Sequence, residues 1–98
     1  TPGSLKGNFC AALARAPSGE IWVGTTDGGL NCYDPRSGRF TSFLNNPEDR
    51  NSLSENSVSA VAVDHEGVVW AGTSNRGLNR LDPRSGQVTR YQLYQLTR

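Results

Sequence analysis

Only a few residues here have side chains that could do chemistry, and their spacing argues against catalysis. His65 is the single histidine, so no second imidazole can complete a metal cluster of recognisable spacing. It lies in a turn, Asp64-His-Glu-Gly67, whose counterpart earlier in the chain is Ala16-Pro-Ser-Gly19; a turn residue is expected rather than a base. Ser37 and Ser85 have no histidine near them in sequence, which leaves a hydrolase triad without support. Asp34 and Asp82 each precede a proline in matching turns, so they are expected to cap those turns. Gly28-Gly29 is not followed by Gly-Lys-Ser/Thr and is no phosphate loop. The binding candidates are Asp27, Asn75 and Arg76, with Lys6, Asn8, Glu55 and Asn56 close to them in the expected fold. Amides, carboxylates and a guanidinium around an axial cavity suit a polar ligand such as a glycan. Trp22 and Trp70 could stack on a sugar but are read as packing residues.

What positions these groups is a stretch that the chain contains twice. Trp22-Val-Gly-Thr-Thr-Asp-Gly-Gly-Leu-Asn-Cys-Tyr-Asp-Pro-Arg-Ser-Gly38 returns as Trp70-Ala-Gly-Thr-Ser-Asn-Arg-Gly-Leu-Asn-Arg-Leu-Asp-Pro-Arg-Ser-Gly86. The offset is 70 − 22 = 48 and 82 − 34 = 48, so nothing is inserted between the copies. A fixed period of about 40 to 50 residues indicates a propeller or a solenoid. Parallel stacking and a shorter usual period disfavour the solenoid.

Each unit reads as four short strands. The first is Cys10–Ala14 and Val58–Val63, an unbroken small-apolar run expected to be buried on both faces. The second is Ile21–Thr25 and Val68–Thr73, the third Gly29–Tyr33 and Gly77–Leu81, and the fourth Arg39–Phe43 and Gln87–Tyr91. Apolarity falls from the first strand to the fourth, as in a sheet with its first strand at a crowded centre. A four-stranded antiparallel sheet repeated about an axis is a propeller blade. The expected class is all-β, with blade 1 over residues 1–48 and blade 2 over 49–98. The connection Leu44–Asn56 is long because the chain must return from the rim of one blade to the centre of the next. The tail 92–98 departs from the repeat and is assigned no role.

The 98 residues carry ten Lys and Arg against nine Asp and Glu, a formal net charge of +1. The charge is balanced in both halves, so no basic stripe marks a nucleic-acid or membrane surface. No run approaches the roughly 18 apolar residues of a membrane span, and no signal-peptide pattern is read. Cys10 and Cys32 fall on non-neighbouring strands and are expected to be free thiols.

Gly-x-x-Trp-x-Gly-Thr, then Gly-Leu-Asn-x-x-Asp-Pro-x-Ser-Gly, then Asn-Ser-Leu-Ser-x-Asn-Ser-Val resembles the two-component regulator propeller repeat. The resemblance covers residues 4–91. It implies the periplasmic sensor region of a hybrid two-component histidine kinase, with many blades and an oligosaccharide or similar ligand. With no acid/base or nucleophile constellation in the sequence, the expectation is a non-enzymatic module without cofactor that recognises a glycan-like polar ligand or a protein partner on its loop face. The alternative is a self-assembling, lectin-like ring or fragment without its own signalling role.

Propellers close with about four to eight blades. Two blades leave apolar residues of both outer faces without a neighbour, drawn from Leu13, Trp22, Leu30, Val61, Val69, Trp70 and Leu78. Such patches normally mark association surfaces. Copies of the chain, or missing blades of a longer one, are the expected partners. A cyclic trimer of six blades is favoured over a tetramer of eight.

Overall fold

The structure is a computed structural model and describes residues 9–91. Two four-stranded antiparallel sheets follow one another in order. The first is β1 (Cys10–Arg15), β2 (Ile21–Thr25), β3 (Leu30–Asp34) and β4 (Arg39–Phe43). The second is β5 (Val58–Val63), β6 (Val69–Thr73), β7 (Leu78–Asp82) and β8 (Gln87–Tyr91). Each sheet is a meander, and each has an irregularity at the same place, between Cys10 and Ala12 and between Val58 and Ala60.

The turns explain why the strands end where they do. Arg36 N donates to Asp34 Oδ1 at 3.0 Å, and Arg84 N to Asp82 Oδ1 at 3.0 Å, so each aspartate caps the turn that follows it. Gly38 N and Gly86 N close the same turns on the carbonyls of Asp34 and Asp82, each at 2.8 Å. Gly29 and Gly77 take φ of +74° and +82°, left-handed values that end the β2–β3 and β6–β7 loops. The third strands therefore begin one residue later than the apolar pattern suggests, at Leu30 and Leu78.

Strand register sorts the side chains. On one face of the first sheet lie the rows Ala12–Gly24–Leu30–Phe43 and Ala14–Trp22–Cys32–Thr41. On the facing side of the second lie Val61–Ala71–Asn79–Arg90 and Val63–Val69–Leu81–Val88. These surfaces meet and form the core. Trp22 and Leu30 share one buried cluster with Val58, Val69, Ala71, Leu81 and Val88. Leu53, from the connection between the sheets, is fully buried in the same cluster. Trp22 lies against Phe43 with ring centroids 5.6 Å apart. It packs between blades rather than facing solvent.

The first strands differ from expectation. β1 is mostly exposed, with Leu13 at 65% and Phe9, just before the strand, at 70%. β5 is only partly covered. An innermost strand is shielded on both faces only when a blade stands on each side, and among the described residues β1 has a blade on one side alone. Burial instead peaks in β2 and at the start of β3.

Candidate functional site

The loops after β2 and β6 lie at the same end of the sheets as the connection 44–57, as strand alternation requires. A threonine at the end of the second strand fixes each loop. Thr25 Oγ1 donates to Gly29 O at 2.9 Å and accepts from Gly28 N at 2.9 Å. Thr73 Oγ1 donates to Gly77 O at 2.8 Å and accepts from Arg76 N at 3.0 Å. One hydroxyl thus closes a loop from both ends, which accounts for the repeated Gly-Thr. The sheet asparagines tie in the neighbouring segments. Asn31 Oδ1 accepts from Ser42 Oγ at 2.7 Å, and Asn79 Oδ1 accepts from Ser54 N at 3.0 Å.

The connection then locks the two sheets together. Gly29 N, in the first blade, donates to Asn56 O at 2.8 Å. Asn56 Oδ1 accepts from Asn45 N at 2.7 Å, and Asn45 Nδ2 donates to Leu53 O at 2.7 Å. Glu55 spans to the β6–β7 loop, accepting from Asn75 N at 2.9 Å and Asn75 Nδ2 at 3.4 Å. The backbone hydrogen bond from Asn75 leads in holding the Glu55 carboxyl below its usual range.

Of the predicted binding residues, Glu55, Asn56, Asn75 and Arg76 come together at this end. Asp27 lies on the β2–β3 loop, which Asn56 closes. Asn56, through backbone and side chain, Glu55 and the Asn75 amide are engaged in bracing, and Asp27, Asn75 and Arg76 are exposed. Lys6 and Asn8 lie outside the described residues. The axial cavity expected around this cluster is not formed by two sheets. Described cavities lie elsewhere, because an axial cavity needs blades on every side. One of about 340 Å³ opens at the opposite end, between the sheets, lined by Glu20, Trp22, Cys32, Glu66, Val68 and Asp82 among others. Burial, with Glu20 and Asp34 beside it, pushes the Cys32 thiol up to about 11. Cys10 and Cys32 are both free, on strands separated by β2.

His65 sits exposed in the β5–β6 turn. Its turn is shaped by Asp64, whose Oδ1 accepts from Glu66 N and Val68 N at 2.9 Å each. No group of three or more His, Cys, Asp or Glu able to hold a metal occurs among the described residues. No helix among them is long and apolar enough to cross a membrane.

Sequence reasoning missed Arg90. Its Nε donates to Ser52 O at 2.9 Å, and its Nη2 reaches Ser52 Oγ at 3.1 Å, Asp49 O at 3.2 Å and Leu53 O at 3.2 Å. The signal was absent because the first copy has Ser42 at this position, so the repeat pattern does not mark it.

Comparison with known proteins agrees with this architecture. Residues 52–75 match the family described as two component regulator propeller. The chain is similar to the extracellular domain of BT3049 of B. thetaiotaomicron, described as a hybrid two-component system. Identity is 29% and the TM-score 0.88, over 99% of this chain and 14% of that one. It is also similar to the extracellular domain of BT4673 of B. thetaiotaomicron, described as a hybrid two-component system. Here identity is 28% and the TM-score 0.67, over 81% of this chain and 10% of that one. The chain therefore spans about a seventh or less of the solved structures it matches. The comparison with curated proteins gives no match. The two-component regulator propeller match lies within the second sheet and the connection before it, and the two sheets are propeller blades.

Proposed function

We propose that this pair of blades is a non-catalytic, sensor-type recognition module on the outer side of the inner membrane, in the periplasm. Its loop end receives a polar ligand of the oligosaccharide class. The observation that carries the reading is the state of the loops. Thr25, Thr73 and Glu55 hold the loop backbones in place, Glu55 also taking a hydrogen bond from the Asn75 amide, and Asp27, Asn75 and Arg76 lie exposed at the same end. Preorganised polar groups on a rigid scaffold lose little freedom on binding. The extracellular setting of the similar domains supports the location.

Titration with a panel of neutral and acidic oligosaccharides tests it, read by calorimetry. Arg76→Ala and Asn75→Ala should each weaken any binding by about tenfold, the equivalent of one lost hydrogen bond near 1.4 kcal/mol. Binding that ignores both substitutions would remove this end from consideration.

A further inference from the structure

Each tryptophan of the repeat faces one residue across the ladder to the third strand. Trp22 is paired with Cys32, and Trp70 with Arg80. The two partners occupy the same repeat position, since 32 + 48 = 80. In the second sheet the partner is a cation, and Arg80 carries its guanidinium over the Trp70 ring, 5.9 Å from the centroid. The negative face of an indole attracts a cation placed there. In the first sheet the partner is a thiol, much shorter and without charge. Among the described residues no cation of the chain lies over the Trp22 ring.

The cavity of about 340 Å³ between the sheets borders both Trp22 and Cys32. Its size falls at the lower end of the range for small-molecule sites, about 300–1,000 Å³. Three carboxylates also border it, each from a different turn. Glu20 closes the β1–β2 turn, Glu66 lies in the β5–β6 turn, and Asp82 is the last residue of β7.

The charge around this cavity is negative. Arg84 is the one cation that lines it, and it pairs with Asp82 at 3.6 Å from a side chain 88% exposed. Arg36 pairs with Glu20 at 3.4 Å from a side chain 76% exposed. Exposed pairs of this kind are weak and screened by solvent. Glu66 enters no ion pair among the described residues. The field reaches inward, because Glu20 and Asp34 add to the burial that raises the Cys32 thiol.

We propose that this cavity binds a small organic molecule through a guanidinium group. Trp22 then serves the ligand as Trp70 serves Arg80, and Glu20, Glu66 and Asp82 receive the charge. A planar guanidinium suits both partners, because it stacks on aromatic faces and bonds carboxylates in pairs. Cys32 is the residue that makes the site, since an arginine at that position would supply the cation from within. The cavity lies at the opposite end of the sheets from Asn75 and Arg76, so the proposal does not rest on the oligosaccharide reading.

Butylguanidinium and butylurea test it, because they share a shape and differ in charge. The chain has two tryptophans, so in a Trp70→Phe chain the indole emission comes from Trp22 alone. Butylguanidinium, raised to about 10 mM, should quench that emission along a saturable curve, and butylurea should leave it unchanged. Glu66→Gln, in an exposed turn, should weaken binding by about threefold to tenfold, and so should Glu20→Gln. Cys32→Arg should abolish the response while keeping the strand-type circular dichroism spectrum. If that chain does not fold, Cys32→Met fills the same space without charge and should also block binding. A flat or unsaturable response to butylguanidinium overturns the proposal, as does an equal response to butylurea. Binding that persists undiminished in Glu66→Gln and in the folded Cys32 variant overturns it too, because the ligand then sits elsewhere.

Discussion

Arg90 holds the connection between the blades by the carbonyl of Ser52, at 2.9 Å from its Nε. The same guanidinium reaches Asp49 O and Leu53 O, so one side chain on β8 gathers three carbonyls of the connection. Hydrogen bonds from a charged donor are worth about 1.5–3 kcal/mol. Arg90→Ala should lower the urea-unfolding free energy by about 2–3 kcal/mol. Arg90→Lys should recover only part of it, because an ammonium cannot present the planar fork. A loss below about 0.5 kcal/mol, the range of ordinary surface changes, would show that the connection is held by Leu53 packing alone.

Gly24→Ala inserts a methyl group where Val58 and Val61 already stand. Overpacking of this kind costs about 1–3 kcal/mol. The paired substitution Gly72→Ala, where a Cβ would meet only Ala60 Cβ at 3.4 Å among the described residues, should be neutral or slightly stabilising. The contrast between two chemically identical changes is the informative quantity. Equal effects on the melting temperature would contradict the packing described for β5.

Acid should loosen the loop end and the turns together. The backbone N–H bonds from Asn75 to Glu55 and from Arg36 to Asp34 are the leading causes that hold these carboxyls below their usual range. A group whose folded-state pKa is depressed contributes stability that is present above its unfolded value. That contribution is lost as pH falls through the folded value. Stability should therefore be flat near neutrality and decline once pH passes below about 4, the ordinary carboxylate value. Asp34→Asn with Glu55→Gln should flatten this decline. A stability curve that rises on acidification would contradict the assignment.

Cys32 reports on the blade junction. Burial raises its thiol to about 11, so little thiolate exists at pH 8. In a Cys10→Ser chain, alkylation at pH 8 should be slow in buffer and fast in denaturant. Rapid labelling in buffer would mean that the two sheets part readily.

The sequence made the blades legible because each strand repeats at a fixed offset and each turn carries its own punctuation, as Asp34 and Asp82 do. The bracing of the loop end was less legible. Glu55 and Asn75 were singled out for their polarity, and the structure shows them bonded to one another. Polarity marks a hydrogen-bonding residue without saying whether its partner is a ligand or a neighbouring loop. The exposure of β1 was misread for a related reason. Apolar composition records the environment that a strand is built for, and Leu13 shows that the described residues supply only part of it.

Strand order also has a consequence for synthesis. The first sheet is complete at Phe43, but the residues that cover Gly24 and Trp22 run from Val58 to Val88. At about 5–20 residues per second, the ribosome needs roughly 2–9 s to make that cover. For those seconds a finished sheet emerges with a bare tryptophan and leucine. Nascent-chain holdases should find it there, and a pause engineered between codons 44 and 57 should lengthen their stay.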